Sequence, residues 1–262
     1  MSALVDLSND QFLSAWRLFA QACSGFAEGS ARGVPMVFAG VPVPFFNVGL
    51  IGSEVPNEKE LRQRADAAAE WAGPRNLPWF LVLCHEALPE GLRSGASGIL
   101  AGGGFQPALT LTGMVADTIT PARRPIDGLE LRLATDQPLR NALMDINGEA
   151  YHMPGGMDAD ELATESFWSP HWGVVALAGG QPVSCAATFQ VKGCRYVGWV
   201  ATLPDHQRRG YAEAVMRHSL DRAAQRVGPL PSVLHATEAG RPVYERMGYS
   251  PIAHYTLYML AA

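Results

Sequence analysis

The segment between residues 195 and 227 constrains the fold more than any other part of the chain. It reads as a strand, Arg195–Ala201, then a short loop, then a long helix, Gly210–Val227. The helix is predicted because small and apolar side chains recur every three or four residues and so share one face. These side chains are Ala212, Val215, Met216, Ser219, Ala223 and Val227. A strand followed at once by an amphipathic helix is typical of a sheet covered by helices, so an α/β fold with a central mixed sheet is expected.

The rest of the second half continues this alternation. Asp136 is placed to cap a helix that runs towards Glu149, and Gly179-Gly180 predicts a two-residue hairpin because both glycines can adopt a positive φ. Further strands are expected at Leu129–Ala134, Gly173–Ala178, Pro182–Phe189, Ser232–Ala236 and Ile252–Leu260, and further helices at Asp158–Phe167, after the Pro154-Gly155-Gly156 break, and at Gly240–Met247.

The first half also alternates helices and strands. Ser8–Cys23 is predicted to be a helix, with Ser8 and Gln11 as a capping box, and Asn57 with Glu60 offers a second helix start. The buried stripe of that second helix is expected at Leu61, Ala65, Ala68 and Ala72. Strands are expected at Val34–Ala39, Phe45–Ile51, Trp79–Cys84 and Leu109–Ala116, and a helix at Pro89–Gly104. Residues 117–127 contain two prolines and few apolar side chains, which predicts a linker between domains at 1–120 and 128–262.

The two halves resemble each other in short matches. Val48–Ile51 is similar to Val197–Val200, and in both halves a helix and then an apolar strand follow. His85-Glu86-Ala87 stands where Thr237-Glu238-Ala239 stands in the second half. The shared order of elements favours a tandem duplication.

Charge and composition exclude several classes of function. The net charge is −5, and no basic run is long enough to follow a phosphate backbone, so nucleic acid is not an expected partner. No stretch approaches the roughly 18 apolar residues that span a bilayer, and no positive segment precedes an apolar one at the N-terminus, so neither a membrane partner nor a secretory signal is expected. The four cysteines form no Cys-x-x-Cys pair, which favours reduced thiols in a cytoplasmic protein without a metal site.

The loop at Gln207–Ala212 carries the strongest chemical signal. The first backbone amides of a helix lack partners within the helix, and together with the helix dipole they favour an anion. Gly210 and Ala212 remove side-chain bulk, so a diphosphate can approach the backbone, and Arg208 and Arg209 add positive charge. The loop therefore predicts a diphosphate site, with a basic surface turn as the alternative.

This loop resembles the Arg/Gln-x-x-Gly-x-Gly/Ala signature of the GCN5-related N-acetyltransferase (GNAT) family, matched by Gln207, Gly210 and Ala212. The resemblance implies that loop amides hold the diphosphate of coenzyme A. It also implies that the strand edge before the loop, which bulges in this family, binds the pantetheine arm. The implied cofactor-binding residues are Val200, Ala201, Thr202, Gln207, Arg208, Arg209, Gly210, Tyr211 and Ala212.

A second segment, from Thr237 to Tyr249, is similar to the A-x-x-L-Y-E-R-x-G-F block of the same family. In this family the general acid is usually the tyrosine of this block, so the resemblance implies that Tyr244 is a catalytic residue. The alternative is that Tyr244 is an aromatic residue of the core. A phenol with a pKa near 10 is neutral before the reaction and can protonate a departing thiolate. The resemblance covers about residues 128–262 and implies direct transfer of an acetyl group from acetyl-CoA to an amine.

The amine must lose a proton before it attacks, so a base or a chain of water molecules is required. The candidate bases are Glu149, His152, Glu165, His171, His235 and Glu238. Glu238 lies at the start of the second segment and is the candidate that we predict to be catalytic. The family shapes its acceptor pocket with the first two helices and the loop between them, here about Tyr151–Met157. Aromatic side chains that either line this pocket or pack in the core are Tyr151, His152, Phe167, Trp168 and Trp172.

The first half departs from the family where a diphosphate would bind. The corresponding stretch, residues 52–60, lacks the Gly-x-Gly/Ala spacing and carries Glu54, Glu58 and Glu60, which would repel a diphosphate. We interpret this half as a degenerate GNAT-like domain that helps to wall the acceptor site, an unrelated α/β module being the alternative.

The sequence therefore predicts a tandem GNAT-like acyl-CoA N-acyltransferase fold. It also predicts an N-acetyltransferase that uses acetyl-CoA as co-substrate and a primary amine of a small molecule or peptide as acceptor. The acidic charge mildly favours a cationic acceptor. A non-catalytic CoA-binding sensor or scaffold is the alternative function, a longer acyl-CoA is the alternative donor, and a homodimer is one option for the assembly.

Overall fold

The helices and strands follow the periodicity of the sequence. The computed structural model describes residues 2–122, 126, 128–153 and 160–260. The α-helices in these ranges are α1 Ala3–Ala20, α2 Glu58–Ala72, α3 Glu90–Arg93, α4 Ala96–Ala101, α5 Gln137–Ala150, α6 Glu165–Trp168, α7 Tyr211–Val227 and α8 Arg241–Arg246. The β-strands in these ranges are β1 Ala27–Ala31, β2 Val34–Phe38, β3 Asn47–Ile51, β4 Phe80–Cys84, β5 Phe105–Ala116, β6 Leu129–Leu133, β7 Trp172–Ala178, β8 Gln181–Val191, β9 Cys194–Thr202, β10 Ser232–Ala236 and β11 Ser250–Leu260. Each strand predicted from the sequence is present, and β1 adds one that was not predicted.

The residues group into two units. Unit 1 comprises Met1–Met114, His235–Ala239 and Pro251–Ala262, and unit 2 comprises Val115–Leu234 and Gly240–Ser250. The first boundary lies close to the linker predicted at residues 117–127, of which 123–125 and 127 lie outside the described residues. The division at 1–120 and 128–262 stays a proposal, and the packing differs from it in two further places, because His235–Ala239 and almost all of β11 group with unit 1.

Unit 1 is built on strands in the order β1-β2-β3-β4-β11-β5. Strands β1, β2 and β3 are antiparallel neighbours, whereas β4 returns parallel to β3 after helix α2. Strand β11 is antiparallel to β4, with Tyr255 opposite Cys84. The predicted stripe of α2 is confirmed, since Leu61, Ala65, Ala68 and Ala72 are buried in one cluster with residues of β2 and β4.

The start of α2 is also confirmed, because Asn57 Oδ1 accepts a hydrogen bond from the Glu60 amide at 3.0 Å. The capping box at Ser8 and Gln11 is wrong, because α1 begins at Ala3 and is capped by Ser2. Ser8 lies inside the helix, where its hydroxyl makes contacts within unit 1 instead of capping.

The helix predicted over Pro89–Gly104 is wrong as a single element. The segment forms two short helices, α3 and α4, with Ser94 and Gly95 between them. Glycine inside a helix costs about 1 kcal/mol relative to alanine, and Gly91, Gly95 and Gly98 all fall in this stretch.

Unit 2 is built on strands in the order β10-β9-β8-β7-β6. Strands β6 to β9 are antiparallel neighbours, and β10 returns parallel to β9 after helix α7. The predicted hairpin is confirmed, because Gly179 and Gly180 have φ values of 57° and 81° between β7 and β8. The predicted cap of α5 is confirmed as well, since Asp136 Oδ1 accepts from the Leu139 amide at 2.9 Å.

The helix predicted over Asp158–Phe167 is not continuous. Residues 154–159 lie outside the described residues, and the remainder forms a 3₁₀ turn, Asp160–Ala163, followed by α6. Thr164 separates the two, because its hydroxyl accepts from the Phe167 amide and so caps α6.

The two units share one arrangement, which agrees with the duplication inferred from the sequence. In each, antiparallel strands lead to a strand, β3 or β9, that is followed by a helix and then by a parallel strand, β4 or β10. No helix among the described residues is both long and apolar enough to cross a membrane. The four cysteines are buried and form no disulfide.

Candidate functional site

Strand β9 carries a bulge near its end. Its parallel ladder with β10 joins Arg195–Val197 to Ser232–Leu234, while β9 itself continues to Thr202. On its other side, the register with β8 shifts between Cys185 and Ala187. Trp199 lies in this stretch with a φ of 58°, a conformation that is an outlier for a bulky residue. The bulge implied by the family resemblance is therefore present.

Side chains from α5 and β8 hold two carbonyls of the bulge. The Tyr151 hydroxyl donates to the Val200 carbonyl at 2.9 Å. The Trp199 carbonyl accepts from Asn147 Nδ2 and from Cys185 Sγ, each at 3.4 Å. Burial raises the pKa of the Cys185 thiol, so the sulfur keeps its proton as a donor at neutral pH. The sequence analysis did not identify Asn147 and Cys185. The side-chain amide of Asn147, four residues before Tyr151, could have been predicted to lie on the same side of the helix.

The next two residues of β9 lead into the diphosphate loop. Ser184 Oγ donates to the Ala201 carbonyl at 2.8 Å and lies 2.7 Å from Thr202 Oγ1. Gln207 Nε2 donates to the Thr202 carbonyl at 3.4 Å, which ties the first signature residue to the end of the strand. The structure thus brings the predicted pantetheine edge and the start of the predicted diphosphate loop together.

The loop reaches α7 through two residues with positive φ, Arg208 at 61° and Gly210 at 82°. No side chain caps α7 at Gly210, and the Ala214 amide makes the first turn's bond to the Gly210 carbonyl at 3.1 Å. The amides of Tyr211, Ala212 and Glu213 therefore have no acceptor within the helix. A nest of amides at the positive end of a helix suits a diphosphate, so the residues present fit coenzyme A.

The charges around this helix start agree with an anion. The side chains of Arg208 and Arg209 are exposed, and Arg209 donates to the Asp205 carbonyl at 3.0 Å. Glu213 is the acidic residue of the first turn of α7. Its carboxylate lies 2.8 Å from the Arg217 guanidinium, so its charge is offset.

Tyr244 lies on α8 of unit 2. Its side chain is buried, and its ring is 6.2 Å from that of Tyr249. Burial raises the pKa of Tyr244, and the neighbouring Tyr151 and Tyr249 raise it further, so the phenol is neutral at physiological pH. A Cβ atom on Gly240 would lie 2.9 Å from the Tyr244 ring, so the ring packs against bare backbone there.

Glu238, the second predicted catalytic residue, lies in unit 1 and is exposed. It lines a cleft of about 700 Å³ within that unit. The other lining residues are Pro107, Ala108, Leu109, Thr110, Thr237, Ala239 and Thr256. His85 Nε2 is 2.8 Å from the Thr256 hydroxyl, which adds an imidazole behind this cleft.

The other candidate bases fall into two groups. Glu149, His152 and Glu165 are exposed on unit 2. His171 and His235 instead pack among aromatic rings, and loss of water around them lowers their pKa values to about 4 and about 3, respectively. Within the described ranges, no group of three or more His, Cys, Asp and Glu side chains is arranged to hold a metal ion.

The aromatic side chains expected at an acceptor pocket are also divided between the core and the surface. Phe167 and Trp168 are buried and contact the ring of Phe189, so they are core residues. Trp172 begins β7 and is half-buried. Tyr151 is 47% exposed, and its hydroxyl is bound to β9 as described above.

A family model described as an acetyltransferase (GNAT) domain matches residues 131–252. No curated protein sequence matches the chain. Several solved structures match the fold over most of the chain. A GCN5-related N-acetyltransferase from Kribbella flavida is 17% identical with a TM-score of 0.71, covering 100% of this chain and 97% of its own. A GCN5-related N-acetyltransferase-like protein from Streptococcus suis is 16% identical with a TM-score of 0.56, covering 97% of this chain and 99% of its own.

A third structure bears on the duplication. A tandem GNAT protein from the clavulanic acid biosynthesis pathway is 12% identical with a TM-score of 0.53, covering 87% of this chain and 79% of its own. At these identities the likeness concerns the fold, which is the tandem GNAT-like α/β fold expected from the sequence. The family match supports acyltransferase activity. Residues 131–252 therefore match the acetyltransferase domain of the GCN5-related N-acetyltransferase family.

Proposed function

We propose that this protein is an N-acetyltransferase that transfers the acetyl group of acetyl-CoA to a primary amine of a small molecule or peptide in the cytoplasm. The observation that carries the proposal is the uncapped start of α7 after Gly210, beside a bulged β9. The free amides would hold the diphosphate, and the β9 edge at Val200–Thr202 would bind the pantetheine arm. Gln207, Arg208 and Arg209 would complete the loop, as would Tyr211 and Ala212.

Acetyl-CoA, when bound, supplies an activated acyl carbon, with the CoA thiol as leaving group. Tyr244 would donate its phenolic proton to the sulfur as the carbon–sulfur bond breaks. Its raised pKa ensures that the proton is present before the reaction. Glu238 remains the candidate that takes the proton from the amine, on the basis of its place in the family segment of the sequence.

Unit 1 supports the idea of a degenerate copy that does not bind CoA. The ladder between β3 and β4 runs to the last residue of β3, where Ile51 lies opposite Leu83. In contrast, the ladder between β9 and β10 ends five residues before the end of β9. Asn57 Oδ1 already occupies an amide at the start of α2, where α7 has no cap. One CoA per chain is therefore the expected stoichiometry.

The test is release of free thiol from acetyl-CoA against a panel of amines, with calorimetric CoA titration of the same preparations. We expect turnover with at least one amine, loss of both binding and turnover in Gly210→Glu, and retained binding with slower turnover in Tyr244→Phe. Glu238→Gln should lower kcat without changing CoA affinity. Residual CoA binding by Gly210→Glu would contradict a single site per chain.

Two other readings are outcomes of this experiment. Saturable CoA binding without turnover of any amine would favour the non-catalytic sensor or scaffold. Turnover that is faster with propionyl-CoA or longer donors than with acetyl-CoA would change the donor and keep the reaction. Absence of CoA binding by the parent protein would refute the proposal. Sedimentation of the same samples would show whether the chain forms a homodimer.

A further inference from the structure

Helix α5 and its C-cap residue, Tyr151, present to the β9 bulge two polar side chains that the proposed reaction does not use. Asn147 and Tyr151 are four residues apart and therefore lie on one face of the helix. Asn147 Nδ2 donates to the Trp199 carbonyl at 3.4 Å, and the Tyr151 hydroxyl donates to the Val200 carbonyl at 2.9 Å. One helix therefore holds two consecutive carbonyls of the neighbouring strand.

The bulge needs such support. Trp199 has a φ of 58°, and bulky residues persist in this region only where the surrounding structure holds them. Cys185 provides a second anchor from β8, since its sulfur is 3.4 Å from the Trp199 carbonyl and 3.1 Å from Asn147 Nδ2. Asn147 is 3% exposed, so its side chain is shielded from bulk solvent.

Tyr151 is the part of this arrangement that can be removed without opening the core. It stands at the end of α5, its side chain is 47% exposed, and its own amide bonds to the Asn147 carbonyl at 3.0 Å. Replacing it with phenylalanine removes one hydroxyl and leaves the ring, so the variant is expected to fold.

We propose that Tyr151 is a positioning residue that holds the β9 bulge in the conformation that receives the pantetheine arm, with Asn147 and Cys185 anchoring the preceding carbonyl. The inference rests on the proposed function, because that function assigns the pantetheine arm to the β9 edge. In this role Tyr151 acts through the backbone of Val200 and contacts no reacting atom.

The experiment compares Tyr151→Phe with a matched control, Tyr258→Phe, in the full chain. Tyr258 also loses one hydroxyl, which lies 2.9 Å from Ser97 Oγ in unit 1. CoA affinity, the steady-state KM and kcat, and amide hydrogen exchange of peptides spanning residues 197–203 in the CoA-free protein are measured for both. We expect Tyr151→Phe to weaken CoA binding about fivefold, the effect of one lost hydrogen bond.

The KM for acetyl-CoA should rise in parallel while kcat stays within about twofold, and exchange across 197–203 should become faster. Adding Trp199→Gly to Tyr151→Phe should restore affinity, because glycine adopts a positive φ without the steric penalty. Tyr258→Phe should change none of these values. Unchanged or tighter CoA binding by Tyr151→Phe, or unchanged exchange, would overturn the inference.

These readouts separate the inference from the proposed function. If the parent protein binds no CoA, the proposed function fails, and with it the assignment of the bulge to the pantetheine arm. Exchange in the CoA-free protein would still report whether Tyr151 holds the bulge. If the parent binds CoA but Tyr151→Phe changes the measured values no more than Tyr258→Phe does, the positioning role is wrong and the proposed function stands.

Discussion

The Ser8 hydroxyl lies 3.2 Å from Nε2 of His235, inside unit 1. The Tyr255 hydroxyl lies 2.7 Å from the same oxygen and donates to Asn9 Oδ1 at 2.9 Å. A Cβ on Gly113 would fall 2.1 Å from Ser8 Oγ, so the cluster depends on a glycine beside it. Residues far apart in the sequence meet here in one largely buried polar cluster, whose hydrogen bonds favour a single packing arrangement.

This cluster predicts how stability depends on pH. Loss of water around the ring lowers the pKa of His235 to about 3, whereas an unfolded histidine titrates near 6.5. Between these values the unfolded chain binds a proton that the folded protein does not, so stability falls as the pH drops from about 6.5 towards 3. Thermal unfolding at pH 7, 6, 5 and 4 measures this slope. His235→Gln should reduce this slope, and the remainder includes the part that His171 contributes, whereas exposed His152→Gln should leave the slope unchanged. Equal slopes in both variants would contradict the assignment.

A second prediction concerns the room that Gly240 leaves for Tyr244. A Cβ at this position would lie 2.9 Å from the Tyr244 ring, so Gly240→Ala must displace the ring. We expect kcat to fall about tenfold, corresponding to about 1.4 kcal/mol of lost transition-state stabilisation, with CoA affinity unchanged. Gly98→Ala in α4 is the control, since nothing lies within 4 Å of its Cβ, and it should leave kcat unchanged. An unaltered kcat in Gly240→Ala would argue against Tyr244 as the acid.

A third prediction separates the two arginines of the loop from other exposed arginines. Arg208→Gln and Arg209→Gln should each weaken CoA binding about tenfold, the scale of one charge-assisted contact. The loss should shrink as salt is raised, because exposed charges are screened. Arg222→Gln, on the exposed side of α7, should bind CoA as the parent does. Equal affinity in all three variants would remove the arginines from the site.

A fourth prediction tests the membership of β11 in the core of unit 1. Leu257 is fully buried and Leu260 is 39% exposed, so the same substitution creates a cavity at one position only. Leu257→Ala should lower the free energy of unfolding by about 2–5 kcal/mol, and Leu260→Ala should change it by about 0.5 kcal/mol or less. Urea unfolding of the full chain measures both. A small loss in Leu257→Ala would mean that β11 is not integral to that core.

The features that the sequence predicted are those that neighbouring residues determine. Asn57 and Asp136 cap their helices through amides three residues away, and Gly179 and Gly180 take a positive φ within their own hairpin. The features it missed depend on distant partners. Ser8 has the composition of a cap, yet His235 and Tyr255 claim its hydroxyl.

The supports of the bulge were missed for the same reason. Asn147 bonds to Trp199, which is fifty-two residues further along the chain. Periodicity identifies which face of α5 is buried, and it cannot identify which carbonyl that face will meet. The predicted helix over Pro89–Gly104 is wrong for a local reason, since glycines within the segment oppose one continuous helix.

The pairing of β11 with β4 affects the order in which the chain can fold during translation. Cys84 pairs with Tyr255. The ribosome must therefore synthesise all the residues between them before β11 can cover that edge of β4. Almost all of unit 2 is synthesised before β11. Unit 1, although its synthesis begins earlier, still has an incomplete sheet at that time. Strand edges left open in this way invite pairing with other chains, so chaperone demand should concentrate on the half that is translated first.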